Sequence, residues 1–313
     1  LPEMGALRAG FYMDQLRVPI AGKGKTMTTL AAPHEMHANN QLLWIFAAAN
    51  LVVALVITVW VLRRQRAQGG DLRLAISVLA GGLISPLVCP LWDYLTHTLH
   101  AQPSQTVVVS FFDGRAVTAW NYLAYYWFIG ALGLFAYQMI KGGASVKQLW
   151  RLWAIIAAAD ILLEVPLQLI NRDIYTYFGG HPFYSYDYFP LPMFCWVTNA
   201  ACPLATAAVI ILFTSTQVRG YLYVLPLVVA SAWFGIFYAI PGWMYWTALG
   251  SDANTPTMYA VAVIGFAVFL YLYHVVATAS VRAVSTGPSG FHSVATTAPD
   301  SVASGATAGG DKA

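Results

Sequence analysis

Seven long apolar segments recur along this chain, and no other feature limits its fold so strongly. About 20 apolar residues cross the hydrocarbon core of a bilayer, where every backbone N–H and C=O has to be bonded within the protein. Helices meet that demand segment by segment. The sequence therefore reads as an all-α integral membrane protein, a bundle of seven transmembrane helices. The segments run from about Leu42 to Leu62, Leu74 to Leu95, Thr118 to Ile140, Leu149 to Ile170, Leu191 to Phe213, Tyr221 to Trp246 and Met258 to Ser280. Composition agrees. Of the 313 residues, 58% are hydrophobic and 9% charged, against roughly 25% charged in a soluble domain. So little charge cannot cover a water-facing surface.

Three regions follow: a polar N-terminal segment over 1–40, a transmembrane domain over 41–281 and a tail over 282–313. The tail is rich in Ser, Thr, Ala and Gly and is expected to be disordered. No apolar run precedes residue 41, so no cleavable signal peptide is expected. Met27 opens the stretch MTTLAAPHEMHANNQLLW and is the expected start, with 1–26 as upstream translation. Arg63, Arg64, Arg66, Arg73, Lys141, Lys147, Arg219 and Arg282 fall in alternate connections, while the opposite ones hold only Arg115 and Arg172. Positive charge collects on the cytoplasmic side. The N-terminus is then outside and the C-terminus inside, and the inner membrane of a bacterium is the expected location. Arg17, Lys23 and Lys25 run against the rule, but at a distance from the first segment. No dense basic run points to a nucleic-acid partner. Cys89, Cys195 and Cys202 lie in apolar stretches and match no zinc spacing, so they read as small buried hydrophobes.

Charged groups at bilayer depth cost roughly 2.5–3.5 kcal/mol each and usually face the protein interior. The fourth segment holds Asp160 and Glu164, with Gln168 one turn further. This spacing puts all three on one helix face. Pro166 follows Glu164 and is expected to kink the helix, freeing a carbonyl near Leu162. Two carboxyls one turn apart repel if both ionise, which favours a proton held between them. The second segment ends in WDYLTHTLH. Asp93, His97 and His100 share a face there if the helix continues, as an acid/base pair of Asp93 and His97 or as a weak metal triad. Asn50, Asn121 and Asn199 add polar groups to three further segments. Asn50, Asp93, Asn121, Glu164, Gln168 and Asn199 all fall in the outer half, with Asp160 near the midplane. The inner half shows mainly His274. Interhelical hydrogen bonding accounts for each residue singly; their common level points to one polar cavity opening outward.

Aromatic residues crowd the same level. An interfacial belt explains many of them, yet Tyr125, Trp196 and Tyr238 lie more than a turn inside. The connection NRDIYTYFGGHPFYSYDYFP, 171–190, is dense in Tyr and Phe and reads as belt or lid. Acids beside aromatic faces suit chemistry that starts with a proton and passes through a cation. Asp160, Glu164, Asp93 and His97 are then the catalytic candidates. Asn50, Asn121, Tyr125, Gln168, Trp196, Asn199 and Tyr238 line the substrate, and no cofactor is needed. The expected substrate is a membrane lipid or other apolar small molecule: an isoprenoid, carotenoid or sterol that is cyclised or isomerised. In architecture and general chemistry, though in no motif, this plan is similar to the small integral-membrane terpene cyclases. Paired Asp-rich motifs for a magnesium-bound diphosphate are absent, which disfavours a prenyl diphosphate. The alternatives are a proton-coupled transporter, a receptor and a structural or assembly protein. An attached retinal is disfavoured because the last segment has no lysine.

Overall fold

A computed structural model describes residues 36–101, 107–111, 115–216 and 220–286. The patch of Arg17, Lys23 and Lys25, the start at Met27, Arg219 and the tail beyond Thr286 lie outside the described residues. Seven helices are long and apolar enough to cross a membrane: Asn40–Ala67, Leu72–Leu95, Ala119–Lys141, Val146–Ile170, Met193–Ser215, Tyr221–Gly250 and Thr255–Ser285. We number them spans one to seven. The chain is a multi-pass, all-α integral membrane protein.

Most spans run a few residues past their apolar stretch, because polar side chains close the helix ends. The side chains of Asn39, Asp71, Ser145 and Asn254 each accept a backbone N–H in the first turn of spans one, two, four and seven. Such caps satisfy donors that the helix itself cannot. Span seven continues to Ser285, so the first residues of the expected tail are helical.

Among the described residues, four short strands lie outside the spans: β1 (Thr98–His100), β2 (Val107–Phe111), β3 (Arg115–Thr118) and β4 (Tyr175–Tyr177). β2 and β3 form an antiparallel pair. β1 pairs antiparallel with β4, setting Thr98 opposite Tyr177 and His100 opposite Tyr175. The helix of span two therefore does not continue through the histidines. It ends at Leu95, and His97 takes a left-handed φ of 52° that turns the chain into β1. Residues 36–39 join the same end of the bundle. The His37 N–H donates to Asp173 (2.9 Å) and the Asn39 N–H to Asn171 (2.7 Å). These pieces form a cap over one end, while Arg63, Arg64, Arg66, Lys141 and Lys147 lie at the other.

Spans two and five are the most enclosed, 61% and 72% buried, whereas spans one, four and seven are 22%, 17% and 22% buried. The outer three present Val52, Val56, Leu162, Leu163, Ile170 and Val263 outward, as helices facing lipid do. Spans two and three meet at Gly82 and Gly130, so closely that a Cβ on Gly82 would stand 2.6 Å from the Tyr126 carbonyl. The four inner spans are all irregular near one level. Span two passes through a 3-10 turn at Ser85–Val88, containing Pro86. Span five breaks between Asn199 and Cys202, beside Pro203. Spans three and six carry π-helical turns at Tyr126–Ala131 and Phe234–Ala239. Pi-helical turns inside spans are rare and frequently mark functional sites.

The basic half is less apolar than its sequence suggests. Gln138 donates to Gln65 (3.0 Å) and to the Val61 carbonyl (3.1 Å), a buried link between spans one and three. His274, by contrast, is exposed.

Candidate functional site

Span four is an uninterrupted helix through Pro166, so Asp160, Glu164 and Gln168 share one face as their spacing requires. Gln168 is buried, and the two carboxyls are half-buried. They interact directly with each other. β4 lays Tyr175 across this face. Its hydroxyl donates to the Glu164 carboxylate and accepts from Gln168 Nε2 (3.2 Å). On the other side, Asn199 Nδ2 donates to Asp160 Oδ2 (3.1 Å), and the Tyr238 hydroxyl donates to Asn199 Oδ1. Asn199 is the last helical residue before the break in span five, and Tyr238 lies in the π turn of span six. The irregular backbone thus places both groups against the acids. A chain of polar side chains runs from Gln168 through Tyr175 to Glu164 and, one turn away on span four, from Asp160 through Asn199 to Tyr238, hydrogen-bonded within each half.

A run of rings follows the same path. Trp120 stacks on Tyr175 (6.0 Å), Tyr175 meets Tyr177 (5.8 Å), and Trp92 bridges Tyr177 and Tyr238 (5.9 Å each). Trp233 joins Tyr238 (5.3 Å) to Tyr125 (5.7 Å). The connection 171–190 packs over this end of the bundle, and we refer to it as the lid. Tyr175, Tyr177, Phe178 and His181 are buried, whereas Phe183 and Tyr188 are exposed at 55% and 82%.

Asp93 lies beside this chain, under β1. The His100 imidazole lies against it, with Nε2 3.3 Å from Oδ2. β1–β4 pairing brings the His100 ring to 5.7 Å from the Tyr175 ring. His97 takes another place. Its carbonyl accepts the Phe178 N–H (3.0 Å), fastening the lid to the end of span two. Burial, then the charge of Arg115, lowers the His97 pKa. The expected pairing of Asp93 with His97 is thus replaced by Asp93 with His100. Among the described residues no group of three or more His, Cys, Asp or Glu side chains is arranged to hold a metal ion.

Asn50 belongs elsewhere. It accepts from Trp127 Nε1 (2.9 Å) and donates to the Phe46 carbonyl (2.9 Å), joining spans one and three. Asn121 is buried at the start of span three. Trp196 is half-buried beside Ile156, Ala157 and Ala200, where spans four and five meet. Tyr125 is half-buried, with its ring edge-on to Trp233. All three cysteines are free and buried.

Tyr175 and His181 escaped the sequence reading, although the density of aromatic residues between spans four and five marked their segment. His181 Nε2 donates to the Thr96 carbonyl (3.0 Å), and Nδ1 is 2.7 Å from the Tyr245 hydroxyl. Taking the lone pair of Nδ1 as acceptor for that hydroxyl satisfies the neutral ring at both nitrogens. Burial pushes its pKa down to about 4. Burial, and then Glu164, raise the Tyr175 pKa well above the ordinary phenol, so Tyr175 keeps its proton as a donor. Comparisons of this chain with protein-family models, with curated proteins and with solved structures found no match.

Proposed function

We propose that this protein is a membrane enzyme that isomerises or cyclises an apolar lipid of the isoprenoid, carotenoid or sterol kind by proton transfer at Asp160 and Glu164. One observation supports the reading: two carboxyls one turn apart, each hydrogen-bonded to a neighbouring side chain, sit on a half-buried face of span four beside outward-facing apolar residues. An apolar substrate reaches such a face sideways from the bilayer and needs no aqueous path. Tyr175 donates to Glu164, which suits a charged carboxylate there and leaves the shared proton to Asp160. Asp160 delivers that proton to a carbon–carbon double bond; a C–H bond forms as the π bond breaks. The cation is held by nearby aromatic faces. Loss of a proton from a neighbouring carbon to the carboxylate pair restores the double bond and the acid, giving an isomeric product. No cofactor enters this balance.

A second reading, proton-coupled transport, is favoured by the irregular turns in spans two, three, five and six, since transporters build their sites at interrupted helices. Expression in a host supplied with isoprenoid and sterol precursors separates the two. The parent is compared with the Asp160→Asn/Glu164→Gln double variant by mass spectrometry of extracted lipids. A new isomeric or cyclised lipid that vanishes with the equally expressed variant supports the enzyme. Identical lipids from cells with and without the parent count against it and favour transport.

A further inference from the structure

Asp93 is the most deeply buried acid among the described residues, with 1% of its surface exposed. Neither of its oxygens has a well-aligned hydrogen-bond partner; His100 Nε2 lies 3.3 Å from Oδ2, outside hydrogen-bond geometry. Nδ1 of the same imidazole is also buried without a partner. A buried polar atom left unmatched destabilises a fold, and its retention calls for an explanation such as a ligand that supplies the partner. Three features narrow the ligand. First, an orphaned carboxylate wants a donor, and the imidazole beside it can donate or accept. A hydroxyl group, donor and acceptor at once, matches both. Second, His100 and then Arg115 already act on Asp93 electrostatically. A neutral hydroxyl preserves that balance, whereas an ammonium would add unmatched positive charge in a low-dielectric site. Third, Asp93 lies two residues from the end of span two, just beneath the cap. This is the depth at which the polar end of an otherwise apolar lipid rests. From there the Tyr175 ring, 5.7 Å from His100, leads to Glu164.

We propose that Asp93 and His100 bind the hydroxyl group of a lipid alcohol of the isoprenoid or sterol kind. Only the further step, that this alcohol is the substrate, rests on the acid chemistry proposed for Asp160 and Glu164. Held by its polar end under β1, the lipid lays its apolar body along span four, with its double bonds toward the carboxyl pair.

The test uses the full-length protein in phosphatidylcholine nanodiscs, with geranylgeraniol and its methyl ether as probes. The ether keeps the chain and an acceptor but has no proton to donate. Binding is read by tryptophan fluorescence at equal mole fractions in the bilayer. The alcohol is expected to bind about tenfold tighter than the ether. Asp93→Leu, which keeps the branched side-chain shape and removes both oxygens, is expected to bring the two probes within about twofold of each other. The Asp160→Asn/Glu164→Gln variant is expected to keep the preference. Equal binding of the two probes by the parent, or no binding of the alcohol, overturns the proposal whether or not Asp93→Leu folds. A preference that survives Asp93→Leu places the hydroxyl elsewhere and also overturns it. Failure of the acid chemistry shows instead as unchanged lipids in the expression experiment, with the binding preference intact.

Discussion

One hydroxyl, that of Tyr175, joins a lid to the acid pair of a membrane span. Tyr175→Phe keeps the ring against Trp120 and Tyr177 but removes the donor to Glu164. Loss of a donor to a half-buried carboxylate costs about 1–2 kcal/mol. The variant is expected to melt lower and to form at least about tenfold less lipid product, a tenfold rate loss needing only about 1.4 kcal/mol. Product yield at matched expression checks this; an undiminished yield removes Tyr175 from the chemistry. His181 gives a pH dependence with a definite sign. Its folded pKa, about 4, lies below the ordinary value of about 6.5, so the unfolded chain takes up the proton first. The stability of the lid is then complete above about pH 6.5 and falls as the pH drops from there toward about 4. The loss is of the order of 3 kcal/mol at the acid end. Thermal melts of the parent between pH 7 and pH 4 should show this slope. His181→Gln, which can donate to Thr96 and accept from Tyr245 without titrating, should flatten it.

At the scale of elements, close contact and irregular backbone occur together. Gly82 touches the Tyr126 carbonyl, where the π turn of span three begins. A methyl group there meets backbone, which cannot swing aside as a side chain does. Gly82→Ala is expected to destabilise the bundle by about 1–3 kcal/mol. Gly250→Ala, where a Cβ meets nothing within 4 Å, serves as the control and should change the melting temperature little. Equal melting of the two variants would mean that spans two and three pack less tightly than described. The β1–β4 pair is the other decisive element. Its three residue pairs carry His100 to Tyr175 and hold the lid over span four.

For the whole molecule, the cap defines one side, and the positive charges propose which side it is. Tyr188, 82% exposed in the lid, and Arg66, exposed at the basic end of span one, lie on opposite sides. The native cysteines are buried and silent. A membrane-impermeant thiol reagent added to intact cells is expected to label Tyr188→Cys at once, and Arg66→Cys only after lysis. The reverse pattern would falsify the orientation drawn from the positive charges. Spans one, four and seven are the least buried, and under the proposed function a lipid would reach the site along them.

Local physics made part of this legible. Burial of apolar length against a bilayer determines seven helices whatever their neighbours are, and hydropathy alone reports it. Helical periodicity likewise determined that Asp160, Glu164 and Gln168 share a face, because those residues lie within one helix. The partners of that face depended on contacts between distant segments. Asn199 and Tyr238 meet Asp160 because spans five and six lose regular helix at that depth, and no residue pattern near Asp160 encodes it. Tyr175 reaches Glu164, and His100 rather than His97 reaches Asp93, because a left-handed turn at His97 ends span two and a three-residue strand pairs with another far along the chain. Asn50, grouped with the site by depth, proved to be interhelical glue with Trp127. Depth along a span is written in the sequence, whereas the direction a polar group faces is decided by how the helices pack.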